Sequence, residues 1–213
     1  MNDSGNPETV LWLLRHPEPE PAAHGRCYGS LDVTLSPEGI LHANVIANAL
    51  ASRPIEAIYT SPLQRCRQAA EILAASRSCP VESLDAFREL DFGEWEGRRY
   101  EEIAALYPDL FRQWMTRPTD TKFPGGECFR EMYARVITAT RNLRSRHAGQ
   151  SIALVIHGGV IRIILADALG MEPPNIFRLG QRYGAINLIR YFGEIPIVEL
   201  MNAKAAGNCS NCS

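Results

Sequence analysis

Lysine is nearly missing from this chain: Lys122 and Lys204 are the only two among 22 basic residues, so its positive charge rests on arginine. An excess of either sign is missing as well. The formal net charge is -2 and the isoelectric point is near 6.2, which leaves no global positive field to draw nucleic acid or an anionic bilayer. Any anion site must therefore be local, and guanidinium is the better fork for phosphate and carboxylate. Long hydrophobic runs are absent too. The run at 10–14 is cut by Arg15, and that at 152–168 is interrupted by His157, Arg162 and Asp167, so neither is a membrane span. Residues 1–8 are polar and acidic, without the basic and apolar regions of a secretory leader, and the expected location is cytoplasmic. A disulfide framework is not expected either, because Cys27, Cys66, Cys79, Cys128, Cys209 and Cys212 suit reduced thiols in so large a chain. Cys209 and Cys212 form a lone C-x-x-C with no second ligand pair, which does not make a zinc site. No metal and no cofactor is expected.

What is present is length and alternation. A chain of 213 residues with 46% hydrophobic and 22% charged residues and a mean hydropathy of -0.15 is neither disordered, collagenous nor a membrane bundle. The expected organisation is a disordered start at 1–8, a single domain at 9–202 and a flexible tail at 203–213. Residues 9–15 read as a strand buried on both faces. Ser36-Pro37-Glu38 supplies an N-cap and an N1 proline for a helix to about Ser52. A strand at 55–59 follows, then a helix capped by Ser61-Pro62 and a short strand near Val81. An irregular stretch at 85–99 leads to helical segments at 101–106 and 109–115 and a loop at 118–126. A long amphipathic helix at 127–147 precedes a strand at 152–156, a helix opened by Gly158-Gly159, and a hairpin of 185–191 with 195–200. This alternation predicts a three-layer α/β/α sandwich with a mainly parallel sheet.

In such sheets ligands bind beyond the carboxyl ends of the strands. The first strand ends in Arg15-His16-Pro17, the second runs into Arg65 near a helix start, and the fourth ends in His157-Gly158-Gly159. A histidine at one strand end is more often structural than catalytic. Two that end apolar strands at the same sheet edge, each before a chain-breaking residue, are harder to ascribe to chance. The chain has no C-x5-R, G-x-x-x-x-G-K, D-x-D-x-T, H-E-x-x-H or G-x-S-x-G, which removes the cysteine phosphatase, P-loop, aspartate phosphatase, zincin and serine hydrolase readings. Two imidazoles, two guanidiniums and a carboxylate remain, a kit for phosphoryl transfer without metal.

The segments LLRHPEPE, GRCYGSLDVTLSPEG, YTSPLQRCRQAAEIL, FRELDFGEWEG, PGGEC and VIHGGVIR, in that order over about residues 9–192, resemble the histidine phosphatase superfamily, also called phosphoglycerate-mutase-like. GRCYGSLD, DFGEWEG and PGGE resemble its α-ribazole phosphatase branch. The resemblance implies a phosphomonoesterase with His16 as the phospho-accepting nucleophile, Arg15, Arg65 and His157 holding the phosphoryl oxygens, and Glu89 as proton donor. It implies α-ribazole 5'-phosphate as substrate, in cobalamin biosynthesis. Glu89 is preferred over Asp91, Glu94 and Glu96 by the family pattern alone, and its structural alternative is an ion pair with Arg88. Ser61 is read as a helix cap and Trp95 as core. Arg26, Arg98 and Arg99 are candidates for a second cationic group.

Two departures stand out: Pro17 where the family usually has Gly, with Glu18-Pro19 for its Glu-Thr or Gln-Thr pair, and Cys128 where it often has Ser. Two enzyme alternatives remain, a phosphoglycerate mutase and a sugar-phosphate phosphatase of the same superfamily. The interval from Glu89 to His157 lacks the mutases' longer insert. A non-enzymatic module that binds phosphorylated ligands is the third class. The expected partner is a small phosphate monoester, with neither nucleic acid nor membrane, and a homodimer is compatible with the exposed helices.

Overall fold

The computed structural model describes residues 8–205. The expectations for residues 1–7 and 206–213, including the Cys209/Cys212 pair, lie outside the described residues. Strand β1 (Glu8–Arg15) and strand β6 (Ile195–Ala203) each extend one residue past the expected 9–202.

Between them come α1 (Pro37–Ala49), β2 (Ala57–Thr60), α2 (Gln64–Ala74), β3 (Val81–Ser83), α3 (Tyr100–Leu106), α4 (Pro108–Thr116), α5 (Phe129–Arg146), β4 (Ser151–Ile156), α6 (Gly158–Ala168) and β5 (Ile186–Phe192). The sheet order is β3-β2-β4-β1-β5-β6. Pairings β3/β2, β2/β4 and β4/β1 are parallel, whereas β1/β5 and β5/β6 are antiparallel. The mainly parallel three-layer reading holds, closed at one side by the expected hairpin.

Strand alternation builds the layers. Leu11 and Leu13 of β1, with Ile152, Leu154 and Ile156 of β4, pack with α5 and α6 through Val136, Ile161 and Ile164. Trp12, Leu14, Ala153 and Val155 point the other way, onto Ala43, Ile46 and Ala47 of α1 and Ala70 and Leu73 of α2. A leucine taken fully from water contributes about 1.5–3 kcal/mol, so these two layers dominate the fold's stability. A third cluster, Cys27, Trp95, Ile103 and Phe123 with Phe92, Phe111 and Trp114, fills the excursion between β3 and α5. Trp95 is fully buried there, as core.

Helix α1 is capped as expected: Ser36 Oγ accepts the Gly39 N–H at 2.9 Å. The expectation for α2 needs correction. Leu63 is its N-cap residue, and the Gln64 N–H at its start goes to Asp32 Oδ1 at 2.6 Å. The cap comes from GRCYGSLD, a distant segment, which frees the Ser61 hydroxyl for another contact.

Candidate active site

β1 and β4 are parallel neighbours, so both end at one edge, and the His16 N–H bonds the Ile156 carbonyl at 2.9 Å. His16 and His157, the next residue along each chain, therefore meet, with ring centroids 5.3 Å apart. β5 runs the opposite way, so its beginning reaches the same edge and sets the Tyr183 ring 5.6 Å from His16. Arg65, in the first turn of α2, is fully buried. The structure brings Arg15, His16, Arg65, Glu89 and His157 together in one cleft of about 290 Å³.

Each group is held by local chemistry. His16 Nδ1 lies 2.7 Å from the Pro17 carbonyl; a carbonyl only accepts, so Nδ1 carries the proton and Nε2 keeps its lone pair. Burial first, then Arg65 and Arg15, pushes the His16 pKa well below 6.5, against the opposing pull of that carbonyl. His157 is lowered in the same direction by burial, then by Arg65, His16 and Arg15. Its Nε2 is 2.8 Å from Ser61 Oγ, and Cys66 Sγ packs 3.4 Å from the same nitrogen. Ser61 Oγ also accepts the Leu63 N–H at 3.3 Å, so Ser61 serves the histidine rather than the first turn of α2. Burial raises the Cys66 thiol far above its usual range.

The arginines are anchored without counter-ions. Arg65 donates Nη1 to the Leu31 carbonyl at 2.8 Å and Nη2 to that of Gly29 at 2.7 Å, while its buried Nε has no partner. Arg15 donates Nη1 to the Gln181 carbonyl, and its Nε is likewise buried and unpartnered. Among the described residues neither forms an ion pair. Arg15 stacks 4.3 Å from the Tyr183 ring centroid and Arg65 5.3 Å from that of Tyr28, and the two tyrosine hydroxyls bond each other.

Glu89 Oε2 accepts the Gly159 N–H at 2.9 Å and Oε1 the Leu90 N–H at 3.0 Å. A side chain at 159 would have to displace the Glu89 carboxylate, because an added Cβ would stand 2.3 Å from Glu89 Oε1. The Arg88 ion-pair alternative does not occur: Arg88 pairs with Asp85 at 3.1 Å. Arg135 donates to the carbonyls of Ala86, Arg88 and Glu89 and so fixes the segment that carries Glu89.

Residues 11–204 match the family described as the histidine phosphatase superfamily (branch 1). The chain belongs to it. Phosphoserine phosphatase 1 of Hydrogenobacter thermophilus is 34% identical over 170 residues, 80% of this chain and 81% of that protein. Adenosylcobalamin/alpha-ribazole phosphatase of Salmonella typhimurium is 25% identical over 195 residues, 92% of this chain and 96% of its own. The solved structure of Bacillus stearothermophilus YhfR superposes with a TM-score of 0.85 at 27% identity, over 90% of this chain and 96% of that one. The protein is thus a phosphatase with the phosphoglycerate-mutase-like fold, and no helix among its described residues is long and apolar enough to cross a membrane.

In this histidine phosphatase residues 17–20 are not among those lining the cleft. Glu18 instead bonds Ser36, at the head of α1. Cys128 is the N-cap residue of α5, away from the cleft lining. Arg26, Arg98 and Arg99 do not line the cleft either; the cationic group that lines it beside Arg15 and Arg65 is Arg162 of α6, with Nε on the Leu179 carbonyl at 2.8 Å. Sequence reasoning missed Arg162, although it follows Gly158 by four residues and so shares its helix face. It also missed the rim of Tyr28, Tyr100, Trp114, Phe177 and Tyr183. For Tyr183 a signal existed, because the residues before an antiparallel β5 must lie where β1 ends.

Proposed function

We propose that this phosphatase is a metal-independent phosphomonoesterase that works through a phosphohistidine on His16, in the cytoplasm, with α-ribazole 5'-phosphate as substrate. The observation that carries the mechanism is the pair Arg15 and Arg65, each with a buried, partnerless Nε and no carboxylate counter-ion, beside an imidazole held neutral. A buried charge without compensation costs several kcal/mol, and a phosphoryl dianion removes that cost. His16 Nε2 attacks phosphorus, the ester P–O bond breaks, and Glu89 gives its proton to the leaving alkoxide. The Pro17 carbonyl faces the Nδ1–H of the resulting cationic ring. Negative charge on the equatorial oxygens meets the two guanidiniums and His157. Glu89 then takes a proton from water, whose oxygen attacks phosphorus, and the P–N bond breaks to return neutral His16 and free phosphate.

The substrate assignment rests on the rim. Tyr28, Phe92, Tyr100, Trp114, Phe177 and Tyr183 line the cleft with aromatic rings suited to a large, mostly uncharged body, as a nucleoside monophosphate presents. A specific observation favours a second reading, a small ester bearing a carboxylate such as phosphoserine. A methyl group on Gly158 would stand 3.2 Å from Arg15 Nε and 3.3 Å from Arg162 Nη1, so a third guanidinium lies close to the phosphate pair.

The test is a side-by-side phosphate-release assay with α-ribazole 5'-phosphate, phosphoserine, 3-phosphoglycerate and fructose 2,6-bisphosphate, with a mutase assay and acid-labile, base-stable labelling of His16. We expect kcat/KM for the ribazole ester to lead by at least about tenfold, roughly 1.4 kcal/mol, and a chelator to leave the rate intact. Preference for phosphoserine would select the second reading. A rate lost with the chelator and restored by a divalent ion would overturn the mechanism.

A further inference from the structure

The Arg65 anchor is built from a loop that has no regular structure of its own. Residues 29–31 present three successive N–H groups to one side, and all three end on a single side chain, Glu96. Its Oε1 accepts from Gly29 at 3.1 Å, Ser30 at 2.8 Å and Phe92 at 3.0 Å; its Oε2 accepts from Gly29 at 3.0 Å and Leu31 at 3.1 Å. Successive N–H groups converging in this way form an anion nest, here filled by the protein's own carboxylate. On the opposite side of the same loop, the carbonyls of Gly29 and Leu31 hold the two Nη atoms of Arg65. The loop lies close against the segment that carries Glu89, since a Cβ on Gly29 would stand 1.8 Å from the Leu90 carbonyl oxygen.

We infer that Glu96 is the positioning residue for Arg65: by pinning the N–H groups of 29–31 it aims their carbonyls, and the carbonyls aim the guanidinium. The carboxylate is suited to this because it accepts only and offers about four lone-pair sites, matching the four backbone donors. Glutamine at 96 keeps one acceptor oxygen and turns an NH2 group against donors. Aspartate keeps the charge but retracts both oxygens by one methylene. Glu96 also bonds Phe92 in the segment that carries Glu89, so one side chain ties the proposed proton donor's segment to the proposed phosphate ligand.

This inference rests on the reading of Arg65 as a phosphate ligand, and the experiment separates the two. Inhibition by orthovanadate and turnover of p-nitrophenyl phosphate are measured for the wild type, Glu96→Gln, Glu96→Asp, Arg65→Ala and the double variant Glu96→Gln/Arg65→Ala, each with a thermal melt. We expect Glu96→Gln to weaken vanadate binding and lower kcat/KM by about 10- to 100-fold, with Glu96→Asp recovering part of the loss. In the Arg65→Ala background the same change should cost less than about threefold, because coupled residues are not additive. Equal losses in both backgrounds, or no loss in either, would overturn the positioning role. Unfolding of both Glu96 variants would overturn it too, since it would make the residue a requirement of the fold. If Arg65→Ala binds vanadate as tightly as the wild type, the ligand reading itself fails.

Discussion

The two ends of the cleft are made differently. At the phosphate end, His16, Arg65 and His157 are almost wholly buried and follow strands or open a helix of the sheet layers. At the rim, Tyr100 and Trp114 are half-buried or exposed and belong to α3 and α4, whose aromatic cluster packs apart from the sheet. The contrast separates chemistry from selectivity. On the proposed reading, the groups that must hold a fixed geometry stand on the most constrained backbone, while Tyr100 and Trp114, two of the rings proposed to meet the ester, stand on the excursion between β3 and α5.

The sharpest way to break this comparison is at the phosphate end. His16→Ala should lower turnover by about 10⁴-fold or more while the melt stays cooperative, as removal of a nucleophile does elsewhere; activity near the wild type would end the mechanism. Next in size is Glu89→Gln, expected to slow alkyl phosphates by about 10²- to 10⁴-fold and p-nitrophenyl phosphate much less, because a good leaving group needs little protonation. Equal losses on both esters would remove Glu89 from that role.

A smaller effect is expected at the rim. Trp114→Ala should raise KM for a ring-bearing ester about 3- to 10-fold, the weight of one aromatic contact, with kcat on a small ester unchanged. Loss of kcat on both would mean that the rim also shapes the chemistry. The last prediction is read on stability. Both histidines have folded-state pKa values below the unfolded value near 6.5, so the unfolded chain binds more protons below that pH. Their contribution is intact above pH 6.5 and falls as pH drops beneath it, by up to about 1.4 kcal/mol per pH unit for each. Urea melts from pH 7.5 to 5.0 should show this slope, and His157→Asn should reduce it; an unchanged slope would contradict a neutral, buried His157.

The same contrast explains how much could be read in the sequence. The strand-end residues were legible because an apolar run cut by Arg15-His16, and another ended by His157, announce themselves within a few residues, and parallel topology then brings them together. The Ser36 cap and the Gly193 hairpin are local signals of the same kind. What escaped was non-local. Asp32 caps α2 from another segment, Glu96 works on residues 29–31, and Ser61, which looks like a cap, holds His157. Charged residues crowded into one loop look alike by spacing. Asp91, Glu94 and Glu96 are told apart from Glu89 by the groups each carboxylate meets in the fold: Ser30 and Gly93 for Asp91, the Tyr107 hydroxyl for Glu94, and residues 29–31 with Phe92 for Glu96.

The strand order has a consequence for the growing chain. β1 precedes the other described strands in the chain, yet its two neighbours are β4 and β5, so the Arg15 N–H waits for the Ala185 carbonyl and the His16 N–H for that of Ile156. At about 5–20 residues per second, translation separates His16 from its completed surroundings by an interval on the order of ten seconds. Throughout that time the backbone partners of Arg15 and His16 are still to be made. A polypeptide that stops before β5 lacks the antiparallel partner of β1 and the Tyr183 ring beside His16.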